Sequence, residues 1–302
     1  MKPRKPPQLE RDPVTGRLIA RSSAQGSSNG GLLYEKGFVS AESRAETLTW
    51  LKTLKPLWEK RYSPNNPPPQ GQPNRSLLRP VYWLGNWQFA CLDYYHPPKG
   101  LLHRCVRAET FPPPLARWVE AIERKVHERF AERDIPKGWT LNTCLINFYG
   151  SHIDPETGRR TDVARVGEHK DFEPGPVASI SFGERALFQF VRSSQIGSRE
   201  GVVLQQWLED SALQVFGGRK WKEELFHRVQ RVERGAETLG PPIDGFETRR
   251  INFTFRFVPE AHWCRLKDLP PEKAADVAPY VRQLAEGSEH FRRELEAWES
   301  QD

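Results

Sequence analysis

The sequence predicts a mostly β core with helices on either side, and three observations carry that expectation. Between Thr140 and Phe257 apolar and polar residues alternate with a period of two, in short runs separated by polar loops, the pattern of a sandwich or barrel. Upstream of this stretch and again beyond Pro259, apolar residues recur at helical spacing. A chain of 302 residues, 37% hydrophobic and 28% charged, can bury one sizeable core, or a core with a smaller satellite.

Residues 1–31 are rich in Pro, Gly, Ser and charge, and are expected to be a disordered basic tail. Lys2, Arg4, Lys5, Arg11, Arg17 and Arg21 outnumber Glu10 and Asp12 there. A solvated tail accounts for that charge as well as a polyanion-binding arm does. Residues 32–139 form an N-terminal region of helices and an aromatic-rich lid. Its first helix is predicted over 40–58, with Ser40 as cap and Leu48, Leu51, Leu54 and Leu57 or Trp58 on one side. A Pro/Asn/Gln loop runs from Ser63 to about Asn74. The aromatic segment from Val81 to Ala90 and on through Tyr94 and Tyr95 reads as a pair of short strands. A second helix spans Leu115 to Glu132, with Leu115, Trp118, Val119, Ile122, Val126 and Phe130 as a core stripe and His127 on the solvated flank.

Residues 140–258 hold the core, with candidate strands at 140–149, 177–182, 186–192, 202–208, 212–216, 226–232 and 249–257. Residues 259–302 return to helix, with Val277, Tyr280, Val281 and Leu284, then Phe291, Leu295 and Trp298 at helical spacing. No internal repeat is visible.

No apolar run approaches the roughly 18 residues that span a bilayer, and the first residues lack the apolar stretch of a secretory signal. A cytoplasmic monomer without membrane association is therefore expected. Cys91, Cys105, Cys144 and Cys264 lie far apart without a CxxC pair, which argues against a disulfide framework and a thiolate zinc site. A reducing compartment fits. The net charge of +6 and pI near 9.2 are compatible with a polyanionic partner.

Within the β-rich stretch stands His169-Lys170-Asp171, and a strand would place positions i and i+2 on one face. His227 follows in a later candidate strand. Two His and one carboxylate bind Fe(II) on one triangular face and leave three positions open. With eight His and 39 acids in the chain, this spacing alone is a weak signal. His96, His103, His152, His262 and His290 have no partner at ligand spacing and read as surface or hydrogen-bonded residues.

Arg250 to Phe257 discriminates better: even positions are polar and odd positions apolar, so one face is a core seam and the other a polar ladder. That ladder either faces water or lines the mouth of a barrel, where a buried Arg needs an anion and its planar fork matches a carboxylate. In the run from Leu141 to Tyr149, Asn147 and Tyr149 fall on one face and offer an amide and a phenol to a small polar ligand.

These residues resemble the AlkB family of 2-oxoglutarate dioxygenases. Asn147-Phe148-Tyr149 is similar to its NxY, His169-Lys170-Asp171 to its HxD with His227 following, and Arg250 to Arg256 to its RxNxTxR. Ser179 to Gly183 and Phe188 to Phe190 are similar to its SxSxG and FxF strands, and the match covers about residues 140 to 258. The resemblance implies a double-stranded β-helix, or jelly-roll, core. It implies Fe(II) at His169, Asp171 and His227 as the catalytic centre, with O2 as cosubstrate and 2-oxoglutarate held through its distal carboxylate by Arg250. Asn147, Tyr149, Ser181, Asn252, Thr254 and Arg256 would line or steady 2-oxoglutarate. Glu173, near the last Arg in the family's arrangement, would favour cationic methylated bases. The substrate would be an N-alkylated base of DNA or RNA, with succinate, carbon dioxide and formaldehyde released. Trp83, Trp87, Tyr94 and Tyr95 are candidate faces for the extruded base, or else lid or core packing.

Two polar stretches, Asp154 to Asp162 and Arg231 to Thr248, are longer than the family pattern. Arg159, Arg160, Arg231 and Arg234 in them would contact phosphates or lie on inert loops. Two rival readings stand beside the demethylase: a hydroxylase of a protein side chain or small molecule on the same scaffold, and a non-catalytic nucleic-acid-binding module.

Overall fold

A computed structural model of the chain describes residues 9–11, 18–20, 30–92, 105–192, 201–233 and 237–301. Most of the expected tail lies outside them. Within it, Leu9–Arg11 and Leu18–Ala20 pair as a small antiparallel ribbon, so the tail is not structureless throughout.

Two antiparallel sheets form the core. The larger has seven strands: β1 (Leu32–Glu35), β2 (Val81–Leu84), β3 (Thr143–Ile153), β4 (Arg160–Asp162), β6 (Val177–Gly183), β9 (Ala212–Phe216) and β11 (Phe246–Arg256). Its order is β1-β9-β6-β11-β3-β2, with β4 paired to β3. The smaller has four: β5 (Val166–His169), β7 (Ala186–Val191), β8 (Val202–Leu208) and β10 (Phe226–Val232), in the order β8-β7-β10-β5.

The period-two alternation explains this layering. On β11, Ile251, Phe253 and Phe255 are fully buried on the outer face of the large sheet, against α2 (Pro113–Arg129) and the other helices, while Arg250, Asn252, Thr254 and Arg256 point between the sheets. On β6, Ala178, Ile180 and Phe182 share that outer cluster and Ser179 faces inward. A second apolar cluster, including Phe188, Phe190, Phe216 and Trp221, closes one end of the space between the sheets. Each fully buried Phe or Ile contributes roughly 1.5–3 kcal/mol.

Strands at 202–208, 212–216 and 226–232 fall where the alternation places them. The helix expected over 40–58 ends earlier: α1 spans Ala41–Leu51, capped by Ser40, whose hydroxyl accepts from the Ser43 amide. Pro56 disfavours helical backbone in the residue before it, and Leu57 instead exchanges hydrogen bonds with Val81. α2 begins at Pro113 and buries the expected stripe, and α3 (Pro271–Ala285) and α4 (Glu289–Glu299) form the C-terminal pair. The stretch from Asp154 to Asp162 is not a loose insertion, because β4 pairs back on β3 through Ser151↔Asp162 to Ile153↔Arg160. Thr248 likewise lies within β11, which begins at Phe246.

β2 and the short strand Asn86–Gln88 form the expected aromatic pair around Gly85. Gly85 has φ +74°, and a Cβ there would lie 2.0 Å from the Asn142 carbonyl oxygen. None of the helices among the described residues is long and apolar enough to cross a membrane.

Candidate metal and cosubstrate site

Three candidate ligands converge between the sheets. His169 ends β5 and His227 sits in β10, and the two are direct register partners with ring centroids 4.1 Å apart. Asp171 does not share a strand with His169 as the HxD spacing predicted. β5 stops at His169, and Asp171 reaches the site from the turn that follows, with its Oδ2 3.4 Å from His227 Nε2. One ligand atom from each residue lies within 4.8 Å of the others.

The surroundings put each group in ligating form. His169 Nδ1 is 2.9 Å from the Gly167 carbonyl, a contact that places its proton there and leaves Nε2 as donor atom. His227 is buried beside Phe188 and Phe216, and that burial, reinforced by His169, lowers its pKa to about 3 and keeps it neutral. Burial would push Asp171 upward, but the Arg256 guanidinium, together with His227, His169 and Lys222, outweighs it and holds the carboxyl well below its usual range. Arg256 donates from Nε and Nη2 to Asp171 Oδ1 at 3.0 and 2.7 Å. Two imidazoles and a carboxylate anchored through its other oxygen suit Fe(II).

A cavity of about 790 Å³ adjoins these ligands, and Asn147, Tyr149, Arg250, Asn252, Thr254 and Arg256 line it. Ser179 takes a place there too, donated to by Asn252 Nδ2 at 2.7 Å. Ser181 lies behind the wall, where it accepts from Arg250 Nη2 at 3.0 Å and from Asn252. Thr254 Oγ1 donates to Asn252 Oδ1 at 2.8 Å, so the polar ladder is internally braced.

Arg250 is 1% exposed, and its Nε and Nη1 have no hydrogen-bond partner. A buried cation with orphaned donors is costly unless an anion joins it. The planar fork fits the distal carboxylate of 2-oxoglutarate, so the donor set suits that cosubstrate as the triad suits iron.

A model of the 2OG-Fe(II) oxygenase superfamily matches residues 31–256. The chain belongs to the 2OG-Fe(II) oxygenase superfamily. Its metal and cosubstrate are accordingly Fe(II) and 2-oxoglutarate. Among curated proteins it is 27% identical over 144 residues to the DNA N(6)-methyladenine demethylase ALKBH1D of Arabidopsis thaliana, a match that covers 45% of this chain and 28% of that protein. The chain thus spans well under half the length of this relative. The solved structure of OsALKBH1 is 18% identical with a TM-score of 0.46, covering 76% of this chain and 98% of that one. The AlkB-type resemblance of the motifs agrees with the curated relative.

The expected substrate contacts fare differently. Trp83 and Trp87 are buried in the outer core and do not line the cavity of this oxygenase. Trp87 packs edge-on against Tyr280 and Phe291, and its Nε1 donates to Glu59 Oε1 at 2.5 Å. Tyr94 and Tyr95 lie outside the described residues, as do Arg234 and the side chain of Arg231. Glu173 does not face the cavity either. Its side chain is fully buried, with Oε2 3.5 Å from Arg256 Nε, and the Lys222 ammonium caps its backbone carbonyl. Arg160 pairs with Glu247 at 2.9 Å, and Arg159 is exposed.

Sequence reading missed the segment from Arg61 to Arg79, which forms the cavity's outer wall. Arg61, Arg75 and Lys170 are exposed on its rim. Leu78 and Phe172, 68% and 37% exposed, stand there too and are the exposed large hydrophobics among the described residues.

Proposed function

We propose that this chain oxidatively removes alkyl groups from N-alkylated nucleobases in nucleic acid. The observation that carries the reading is the character of the cavity beside the triad. Its deep end offers the orphaned Arg250 fork, and its rim combines Arg61, Arg75 and Lys170 with the apolar Leu78 and Phe172. A phosphate backbone is drawn to the rim cations, and an unstacked base finds apolar and π surface beside them. The relative's activity toward a methylated DNA base points the same way.

His169, Asp171 and His227 would hold the iron and Arg250 the 2-oxoglutarate, and together these groups would supply the O2-dependent hydroxylation of an N-alkyl carbon, coupled to conversion of 2-oxoglutarate to succinate and carbon dioxide. The resulting hemiaminal breaks its C–N bond and gives formaldehyde and the free amine. The protein's own share is placement. Arg250 fixes the cosubstrate's far end, Arg256 holds Asp171, and the wall from Arg61 to Arg79 bounds the space for the base.

With Glu173 sealed away, the electrostatic argument for cationic lesions loses its support. Arg79, Arg228, Arg250 and Arg256 add to the three rim cations, while Glu168 and Asp171 are the acids of the lining, and both are paired with arginines. Such a chamber favours a neutral alkylated base over a cationic one. Incubation with iron, 2-oxoglutarate and a panel of methylated single- and double-stranded DNA and RNA, read by mass spectrometry, tests the proposal. Loss of methyl with formaldehyde release is expected, strongest for neutral exocyclic N-methyl bases. Turnover of 2-oxoglutarate without an oligonucleotide product would overturn it.

A further inference from the structure

We infer that Arg79 is a positioning residue for 2-oxoglutarate, acting through Asn147 and Tyr149. The cosubstrate is that of the family; the assignment of Arg79 comes from the geometry of this chain.

Arg79 precedes Pro80 and β2, and the strand is pinned opposite β3 in the register Val81↔Asn147, with the Phe148 amide donating to the Pro80 carbonyl. A residue before proline is held extended, so this junction carries the guanidinium across the start of β2 onto the inner face of β3. There Arg79 Nε donates to Asn147 Oδ1 at 2.8 Å, and its guanidinium carbon stands 4.8 Å from the centre of the Tyr149 ring. Arg250 stands over the same ring at 5.0 Å. All four residues line the cavity.

Two consequences follow. An amide whose oxygen is taken by a guanidinium is fixed in one orientation, and its two N–H donors remain for a ligand. A phenol ring held by two cation–π contacts is fixed in tilt as well. Among the described residues neither Arg79 nor Arg250 has a carboxylate at ion-pair distance, so Arg79 also adds positive potential around the orphaned donors of Arg250. Lysine at this position would supply the charge without the Nε contact or the planar stack.

The test is binding of 2-oxoglutarate to the full chain loaded with Mn(II), followed by intrinsic tryptophan fluorescence in the absence of substrate turnover. Arg79→Ala and Asn147→Ala are each expected to weaken binding about tenfold, the size of one lost charge-assisted hydrogen bond. The double variant should bind no worse than the weaker single variant, because one residue acts through the other. Arg79→Lys should recover only a minor part of the loss, and Mn(II) affinity should stay at the wild-type level throughout. Wild-type binding by Arg79→Ala, losses that multiply in the double variant, or full recovery by lysine would each overturn the inference. Loss of Mn(II) affinity in Arg79→Ala would also overturn it, by making the role a general structural one.

Discussion

His169 and His227 face each other as a cross-strand pair, one at the last position of β5 and one in β10, with rings 4.1 Å apart. Sheet pairing thus brings the two imidazoles together before any metal is added, and Asp171 completes the triangle from the adjoining turn. His227→Ala should abolish metal-dependent turnover and saturable Mn(II) binding, which titration calorimetry would register. Arg256→Lys keeps the charge but gives up the two-point grip on Asp171. It should weaken metal binding by roughly 10–100-fold. Unchanged affinity in Arg256→Lys would show that Asp171 needs no such anchor.

Arg250 trades stability for binding. Replacing this buried cation with Met should leave the melting temperature of the cosubstrate-free protein unchanged or higher, because its unpaired donors are removed with it. The same change should weaken 2-oxoglutarate binding on the order of 100-fold or more. Thermal melts with and without 2-oxoglutarate measure both effects in one series. A large fall in the melting temperature without ligand would refute the trade.

Glu59 titrates far from the triad. Burial pushes its pKa from 4.5 up to about 7, partly countered by hydrogen bonds from Trp87 and the Ala90 amide. The folded state therefore holds this proton over a range where the unfolded chain has released it. The contribution is fully present below about pH 4.5 and is lost as pH rises through about 7. It amounts to about 3 kcal/mol. Glu59→Gln should flatten that decline, and denaturant midpoints taken from pH 5 to 8 should show the variant gaining on the parent as pH rises.

Gly85→Ala meets both a positive φ and a backbone oxygen 2.0 Å from the new Cβ. A loss of at least about 1–3 kcal/mol in unfolding free energy is expected. Circular dichroism melts would detect it, and an unaltered melt would show that the β2 turn relaxes freely.

Much of the site was legible because alternation is a strong signal where one face is apolar. Ile251, Phe253 and Phe255 could only point to the core, which sent Arg250, Asn252, Thr254 and Arg256 inward together. The rest depended on partners distant in the chain. For Trp87 the sequence left a stacking face and core packing both open; Glu59 and the C-terminal helices decide for the core, and no local pattern announces such a pairing. Glu173 stands near the last Arg as the resemblance implies, but Lys222 and Arg256, which hold it out of the cavity, approach from other elements. Arg79 ends a run without periodicity. Its importance shows only once β2 is known to pair with the strand that carries Asn147 and Tyr149.

The alternation on β11 also bears on how this protein can fail. Sliding that strand by one residue against its neighbours would drive four polar side chains into the oily layer beneath the helices and turn three bulky apolar ones into the reaction chamber. Such a shifted form is too costly to persist, so the chemistry and the cohesion of the large sheet should be lost together on heating. Amide exchange along Phe246–Arg256 is then slowed by the same free energy that resists complete unfolding.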